Sequence, residues 1–211
     1  ANEITHYRLQ GRKDMINGGS QHDVIFLLLR TRQNQTESSH SPLAGRGAHS
    51  LFWIDRQPGV TGLPCWETQP GRAADISGLD FDLVVSSSAR LGPEGEGFTL
   101  ARKTLAISRG GVAAFAVGVL AQARCQAWAY AQQRMFNGRP IAHLGAIAEH
   151  LMRLDATERA ASAISLRATA WVNACGLKAG FYCGIAKLMA PRLAEEGVEE
   201  GRLALGARGL L

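Results

Sequence analysis

Residues 97–130, GFTLARKTLAISRGGVAAFAVGVLAQARCQAWAY, constrain the fold more than any other stretch of this chain. They contain no proline, and Phe98, Leu105, Val112 and Val119 recur along them, with Phe115, Leu120 and Ala123 filling the same broad face. The spacing is helical, and a strand's period of two does not fit it. The pattern outruns an ordinary globular helix, which predicts a long bundle helix. Gly110, Gly111 and Gly118 lie inside it. Glycine in a helix interior costs roughly 1 kcal/mol against alanine, so close approach of a neighbouring helix or a ligand is expected there. The chain before this helix reads as β-rich and the chain after it as α-rich.

Towards the N-terminus, Tyr7 and Leu9 alternate, Gly11 turns, and Met15-Ile16 leads into Asn17-Gly18-Gly19. An Asn-Gly pair between apolar runs predicts a hairpin. The continuous apolar run at 24–29 predicts a buried strand. Residues 31–49 are polar and rich in Ser, Gly and Pro, which predicts an exposed loop, and Gly45-Arg46-Gly47 within it lacks the third glycine of a dinucleotide fingerprint. Residues 50–55 form a short strand, Pro58-Gly59 a turn and residues 60–66 another short strand. Leu79, Phe81 and Leu83 alternate through a half-buried strand at 76–85. Residues 91–97 form a loop delivering the chain into the long helix.

Beyond Tyr130, Asn137-Gly138 stops the first helix and Pro140 opens the next. Ile141, Leu144, Ala148, Leu151, Leu154, Ala161, Ile164, Ala168 and Trp171 then recur at spacings of three and four, and Gly176 ends that second helix. A third, at 178–204, carries Phe181, Ile185, Leu188 and Met189 on its apolar face. The expected fold is α+β: a small β-barrel-like domain over residues 1–95, followed by an antiparallel bundle of long helices over 96–211. The opening strand has no start signal of its own and the apolar end, GRLALGARGLL, has no polar tail, so both ends look cut.

Composition narrows the chemistry. The four cysteines form no CxxC pair, and His143 and His150 complete no zinc spacing, so no metal site is expected. The N-terminus has no apolar signal region and no apolar run approaches a bilayer's thickness, which leaves the cytoplasm as the default. The thiols are then expected to be reduced and mostly buried, and Asn34-Gln35-Thr36 a chance sequon. The net charge of +5 is spread along the chain without a basic run. Scattered arginines suit a phosphorylated small molecule better than a nucleic-acid duplex, although a merely basic surface accounts for them equally well. There is no GxSxG, HExxH, P-loop or recognisable triad. Glu195, Glu196, Glu199 and Glu200 read as solvated, and Glu149 and His150 as surface residues, so no catalytic residue is assigned.

Several segments resemble acyl-CoA dehydrogenases in order and spacing. YRLQGRKDMINGGSQHDVIFLLLRT is similar to that family's y-x-l-n-G-x-K-x-W-I-T-N-G strand pair, and SLFWIDRQPGV to its strand and pGv turn. ISGLDFDLVVSSSARLGPEGEGF resembles the passage into its first bundle helix. SRGGVAAFAVGVLAQARCQAWAYAQQRMFNGRPI resembles the helix ending in R-x-x-F-G-x-P-I, and ALGARGLL the i-x-G-G-x-G-y turn. The resemblance implies FAD as cofactor, an acyl-CoA or acyl-carrier-protein thioester as substrate, a homodimer or homotetramer, and an electron-transfer flavoprotein as redox partner. It implies removal of an α-proton by a carboxylate and transfer of the β-hydride to flavin.

Residue by residue, Arg134 matches the arginine that contacts the FAD phosphates of a neighbouring subunit, a task suited to a bidentate guanidinium; the alternative is a surface arginine at a helix end. Gly206 and Gly209 match glycines that admit the ADP part of FAD, the alternative being a helix C-cap. Arg109 matches an arginine that helps order the active site, or else pairs within the bundle. Met15 stands where the family has the tryptophan that packs on the flavin, Asn17 where it has a threonine serving the flavin edge, Asn137 where it has the phenylalanine of R-x-x-F-G, and Gly145 where a glutamine is frequent. The family's usual base glutamate follows the glycine turn, beyond Leu211, and Ser108 occupies the position of the base in a minority of members. Two further readings follow from these departures: a flavin monooxygenase of the same fold, and a non-catalytic subunit that completes an active homologue.

Overall fold

A computed structural model of the chain describes residues 4–31, 48–68 and 74–210. The predicted loop, with Asn34-Gln35-Thr36 and Gly45-Arg46-Gly47, lies outside the described residues except at its ends. The chain divides into two compact units, residues 1–102 and 103–211.

The first unit holds two antiparallel three-stranded sheets. In one, β1 (His6–Asn17) pairs with β5 (Ile76–Ser86), which pairs with β4 (Val60–Gly62). In the other, β2 (Val24–Arg30) pairs with β3 (His49–Asp55), which pairs with β6 (Arg90–Leu91). Period-two alternation sends Leu9, Leu79, Phe81, Leu83 and Val85 from the first sheet and Ile25, Leu27, Phe52 and Ile54 from the second into one core. The described strands therefore form two sheets and no closed barrel. β2 is half-buried rather than wholly buried, because Val24 and Phe26 face outward between Ile25 and Leu27. Gly11 does not turn the chain; it lies within β1, its backbone against the Phe81 ring. β4 is three residues long, shorter than the strand expected at 60–66.

The predicted hairpin at Asn17-Gly18 does not form, and a second Asn-Gly shows why. A type I′ turn needs positive φ at both central residues. At Asn137-Gly138 both are positive, 48° and 75°, and the pair closes a two-residue hairpin between β7 (Met135–Phe136) and β8 (Arg139–Pro140). At Asn17-Gly18 only the glycine is positive, 74°, so the chain turns out of one sheet and into the other. Pro140 accordingly sits in β8, and the second helix starts later than its position suggests.

Three helices make the second unit: α1 (Gly97–Gln133), which begins in the first unit, α2 (Gly145–Cys175) and α3 (Gly180–Ala204). Gly110 lies near Cys183 and Leu120 near Gly197, so α1 and α3 run parallel. His150 meets Glu200 and Trp171 stacks on Tyr182, so α2 runs antiparallel to α3. The core is built from small residues around three leucines: Ala113, Ala116, Leu120, Ala127 and Ala131 of α1, Leu151, Leu154, Ala161 and Ala168 of α2, and Cys183, Ala186, Ala190, Ala194 and Ala204 of α3.

Leu120 and, on α2, Leu151, Leu154, Ala161 and Ala168 are buried as read from the sequence, but most large apolar residues read on α1 and α3 face outward. On α1, Phe98, Leu105, Val112, Val119 and Phe115 are exposed, Phe115 by 77%. On α3, Phe181, Ile185, Leu188 and Met189 are exposed as well. Small side chains let helices approach closely, so this bundle closes on its alanine face. Of the glycines in α1, Gly110 alone meets a neighbouring helix, and Gly111 and Gly118 face open space. α1 also corrects the reading of chain hydropathy. Its best window has a mean hydropathy of 1.6, so by length and composition it is long and apolar enough to cross a membrane. All four cysteines are free thiols, but Cys183 alone is buried.

Candidate functional site

The β unit presents one candidate surface at the end of β1. Its register with β5 slips between Lys13 and Ile16, and within that bulge Met15 adopts φ 56°. A long side chain in the left-handed region costs about 1–2 kcal/mol, and such strain persists where surrounding structure over-determines it. The Met15 side chain is 63% exposed. Two residues on, Asn17 is exposed and lines a cleft of about 210 Å3 with Ile16, Gly18, His22, Phe26 and Leu79.

The turn after Asn17 is held from several sides. Gly18 N donates to the Asp75 carbonyl at 2.6 Å. Ser20 donates from N to Ser77 Oγ at 2.8 Å and from Oγ to Asp75 Oδ2 at 2.8 Å. Arg56 Nε donates to His22 O at 2.9 Å and Arg56 Nη2 to Gly19 O at 2.8 Å. The Cys65 thiol donates to Asp75 Oδ1. That bond above all, with the Ser20 and Ser77 hydroxyls, holds the Asp75 carboxyl below its usual range against the opposing pull of desolvation. The same bond, followed by desolvation, pushes the Cys65 thiol up. Arg56, Asp75 and Ser77 carry no motif, and only their position beside the turn reveals them.

The helical unit presents a second candidate surface at the end of α1. Arg134 N donates to Tyr130 O at 2.8 Å, and Arg134 O accepts from Ile141 N at 2.8 Å. Its side chain is exposed, with no hydrogen bond or ion pair among the described residues. The guanidinium of Arg208 lies 5.7 Å from the centre of the Tyr130 ring. Arg208 belongs to a short 3₁₀ turn, Gly206–Leu210, that follows α3. Gly206 opens that turn at φ 60°, and a Cβ on Gly209 would lie 2.3 Å from Arg202 O. Gly209 thus has a reason inside the chain: it lets the turn fold back on α3.

Arg134, Gly206 and Gly209 are therefore brought to one end of the bundle. Asn137 stands nearby in the β7–β8 turn, where its left-handed backbone is what the hairpin needs. Arg109 is elsewhere. It lies on α1 roughly 37 Å from Arg134 at 1.5 Å per residue, exposed and with no ion pair among the described residues, so it does not pair within the bundle. Glu200, by contrast, is not a solvated glutamate: it meets His150 Nδ1 at 2.6 Å and Arg153 at 3.6 Å between α2 and α3.

An exposed apolar side chain beside a free amide suits a ring with a polar edge. Two uncompensated guanidiniums suit a diphosphate. Within each unit the donor set thus fits a flavin dinucleotide, and the strained Met15 is the feature hardest to explain without a ligand.

A model of the acyl-CoA dehydrogenase C-terminal domain matches residues 95–211. A 3-(aryl)acrylate reductase of Clostridium sporogenes is 32% identical over 99% of this chain and 53% of its own length. A short-chain-specific acyl-CoA dehydrogenase of Clostridium acetobutylicum is 28% identical over 98% of this chain and 52% of its own. The solved butyryl-CoA dehydrogenase of Megasphaera elsdenii superposes with a TM-score of 0.87 at 26% identity, over 100% of this chain and 53% of that one. The chain belongs to the acyl-CoA dehydrogenase family. It spans about half the length of the curated relatives it matches.

Proposed function

We propose that this chain serves in an FAD-dependent oxidoreductase of the acyl-CoA dehydrogenase type, acting on the α,β carbon–carbon bond of an acyl thioester. The observation that carries this is the strained Met15 beside Asn17, at the two positions where the family resemblance implies flavin contacts. When bound, FAD would supply the hydride acceptor. Met15 offers sulfur and methylene surface to an aromatic ring, and the Asn17 amide offers both a donor and an acceptor to its edge. Arg134 offers a bidentate donor to phosphate. Arg109 offers a positive charge towards the acyl substrate. No carboxylate of this chain is assigned as the base.

Family membership supports a homodimer or homotetramer, an electron-transfer flavoprotein as acceptor and a CoA or carrier-protein thioester as substrate. The free thiols agree with a cytoplasmic setting. A second direction of the same chemistry, reduction of a 3-arylacrylic substrate, is favoured by the similarity to an acrylate reductase.

The test is anaerobic visible spectroscopy of the purified protein with FAD. Bleaching of the flavin by short-chain acyl thioesters supports dehydrogenation. Reoxidation of reduced flavin by an arylacrylate supports the reverse direction. Absence of any flavin spectrum after reconstitution overturns both.

A further inference from the structure

Arg208 stands between the two glycines of the turn after α3, and the family resemblance gives it no role. Its guanidinium rests over the Tyr130 ring. Tyr130 also accepts, through its carbonyl, the backbone N–H of Arg134. Both arginines therefore lie against the last turn of α1, through Tyr130. The neighbouring carboxylates are already engaged: Glu199 pairs with Arg202, and Glu200 with His150 and Arg153. Neither Arg134 nor Arg208 has a hydrogen bond to a helix-end carbonyl or an ion pair among the described residues. A capping arginine would make such bonds. What remains is an exposed pair of uncompensated guanidiniums, one of them oriented by an aromatic face.

We infer that Arg208, held by Tyr130, is a second phosphate-binding arginine that acts with Arg134 on the pyrophosphate of the dinucleotide. This rests on the FAD reading above. Tyr130 is the positioning residue: its ring leaves the guanidinium fork free along its edges while restricting its rotamers. Planar forks recognise phosphate oxygens bidentately, and a pyrophosphate carries enough oxygens for two of them.

The test is calorimetric titration of the full chain, freed of flavin, with FAD and separately with inorganic pyrophosphate. Wild type is compared with Arg208→Gln and Arg208→Lys, each checked for fold by circular dichroism. Loss of one charge-assisted contact predicts FAD binding weaker by about 10- to 100-fold in Arg208→Gln. Arg208→Lys, which keeps the charge and loses the fork, is expected to fall between the two. If wild type binds FAD and Arg208→Gln binds it equally well, the inference is overturned and the flavin reading stands. The same holds if Arg208→Lys is as weak as Arg208→Gln, which would mark a packing role over Tyr130. If wild type binds pyrophosphate but not FAD, and Arg208→Gln loses it, the anion site stands and the flavin reading falls. Binding of neither ligand overturns both.

Discussion

Asp75 accepts at once from the Cys65 thiol, the Ser20 hydroxyl and the backbone N–H groups of Gly18 and Ser20 in the turn that follows Asn17. Its carboxyl is depressed in the folded chain, so its stabilising contribution is present above the ordinary carboxylate pKa of about 3.9 and is lost as pH falls through the lower folded value. The Cys65 thiol is raised, so its contribution is present below about 8.5 and is lost as pH rises through the higher folded value. Since the thiolate is the nucleophile, Cys65 should be alkylated by iodoacetamide at pH 8 more slowly than Cys125, although both are exposed. Asp75→Asn should remove the difference, as followed by peptide mass spectrometry. Equal rates in the wild type would mean that the thiol is not held. At this scale the sequence marks Met15 and Asn17 through a motif in register, but the bond network behind them joins residues more than fifty positions apart and has no local signature.

Helix α3 approaches its neighbours through a glycine. A Cβ on Gly197 would lie 2.4 Å from both Leu120 Cδ2 and Thr157 Oγ1, whereas one on Gly184 would meet nothing within 4 Å. Gly197→Ala should therefore destabilise by about 1–3 kcal/mol through overpacking, less whatever helix propensity returns. Gly184→Ala on the same helix should be neutral or stabilising by up to about 1 kcal/mol. Urea denaturation of the two variants checks the pair, and similar behaviour of both would contradict the packing described. The two Asn-Gly pairs teach the same lesson. Both carry the hairpin signal, but tertiary pairing decides: β1 is taken by β5, so the turn at Asn17 leaves its sheet, while among the described residues β7 and β8 pair with each other alone.

In the helical unit, Phe115, Phe181, Leu166 and Met152 present large exposed apolar surface, Phe181 by 73%. Large apolar side chains left exposed in this number mark contacts with other protein, in line with the proposed homo-oligomer. Sedimentation velocity at micromolar concentration should give species larger than one 22.6-kDa chain. Phe181→Glu should shift them towards the monomer, with helix content retained by circular dichroism. Monomeric behaviour of the wild type at all concentrations would contradict this assembly.

The order of elements, the long helices and the glycine-arginine motifs were legible in the sequence because propensity, periodicity and turn chemistry are local properties. On α2 the periodic Leu151, Leu154, Ala161 and Ala168 are indeed buried, but which stripe of α1 and α3 is buried was not legible. Val112, Phe115 and Ile185 outrank Ala113, Ala116 and Ala186 on any hydropathy scale, but it is the alanines that are buried where α1 and α3 pack. The pairing of β1 with β5, the support of the turn after Asn17 by Asp75 and Arg56, and the seating of Arg208 on Tyr130 likewise came from tertiary structure alone. Each depends on distances between residues far apart in the chain, and hydrophobic pattern carries no record of those distances.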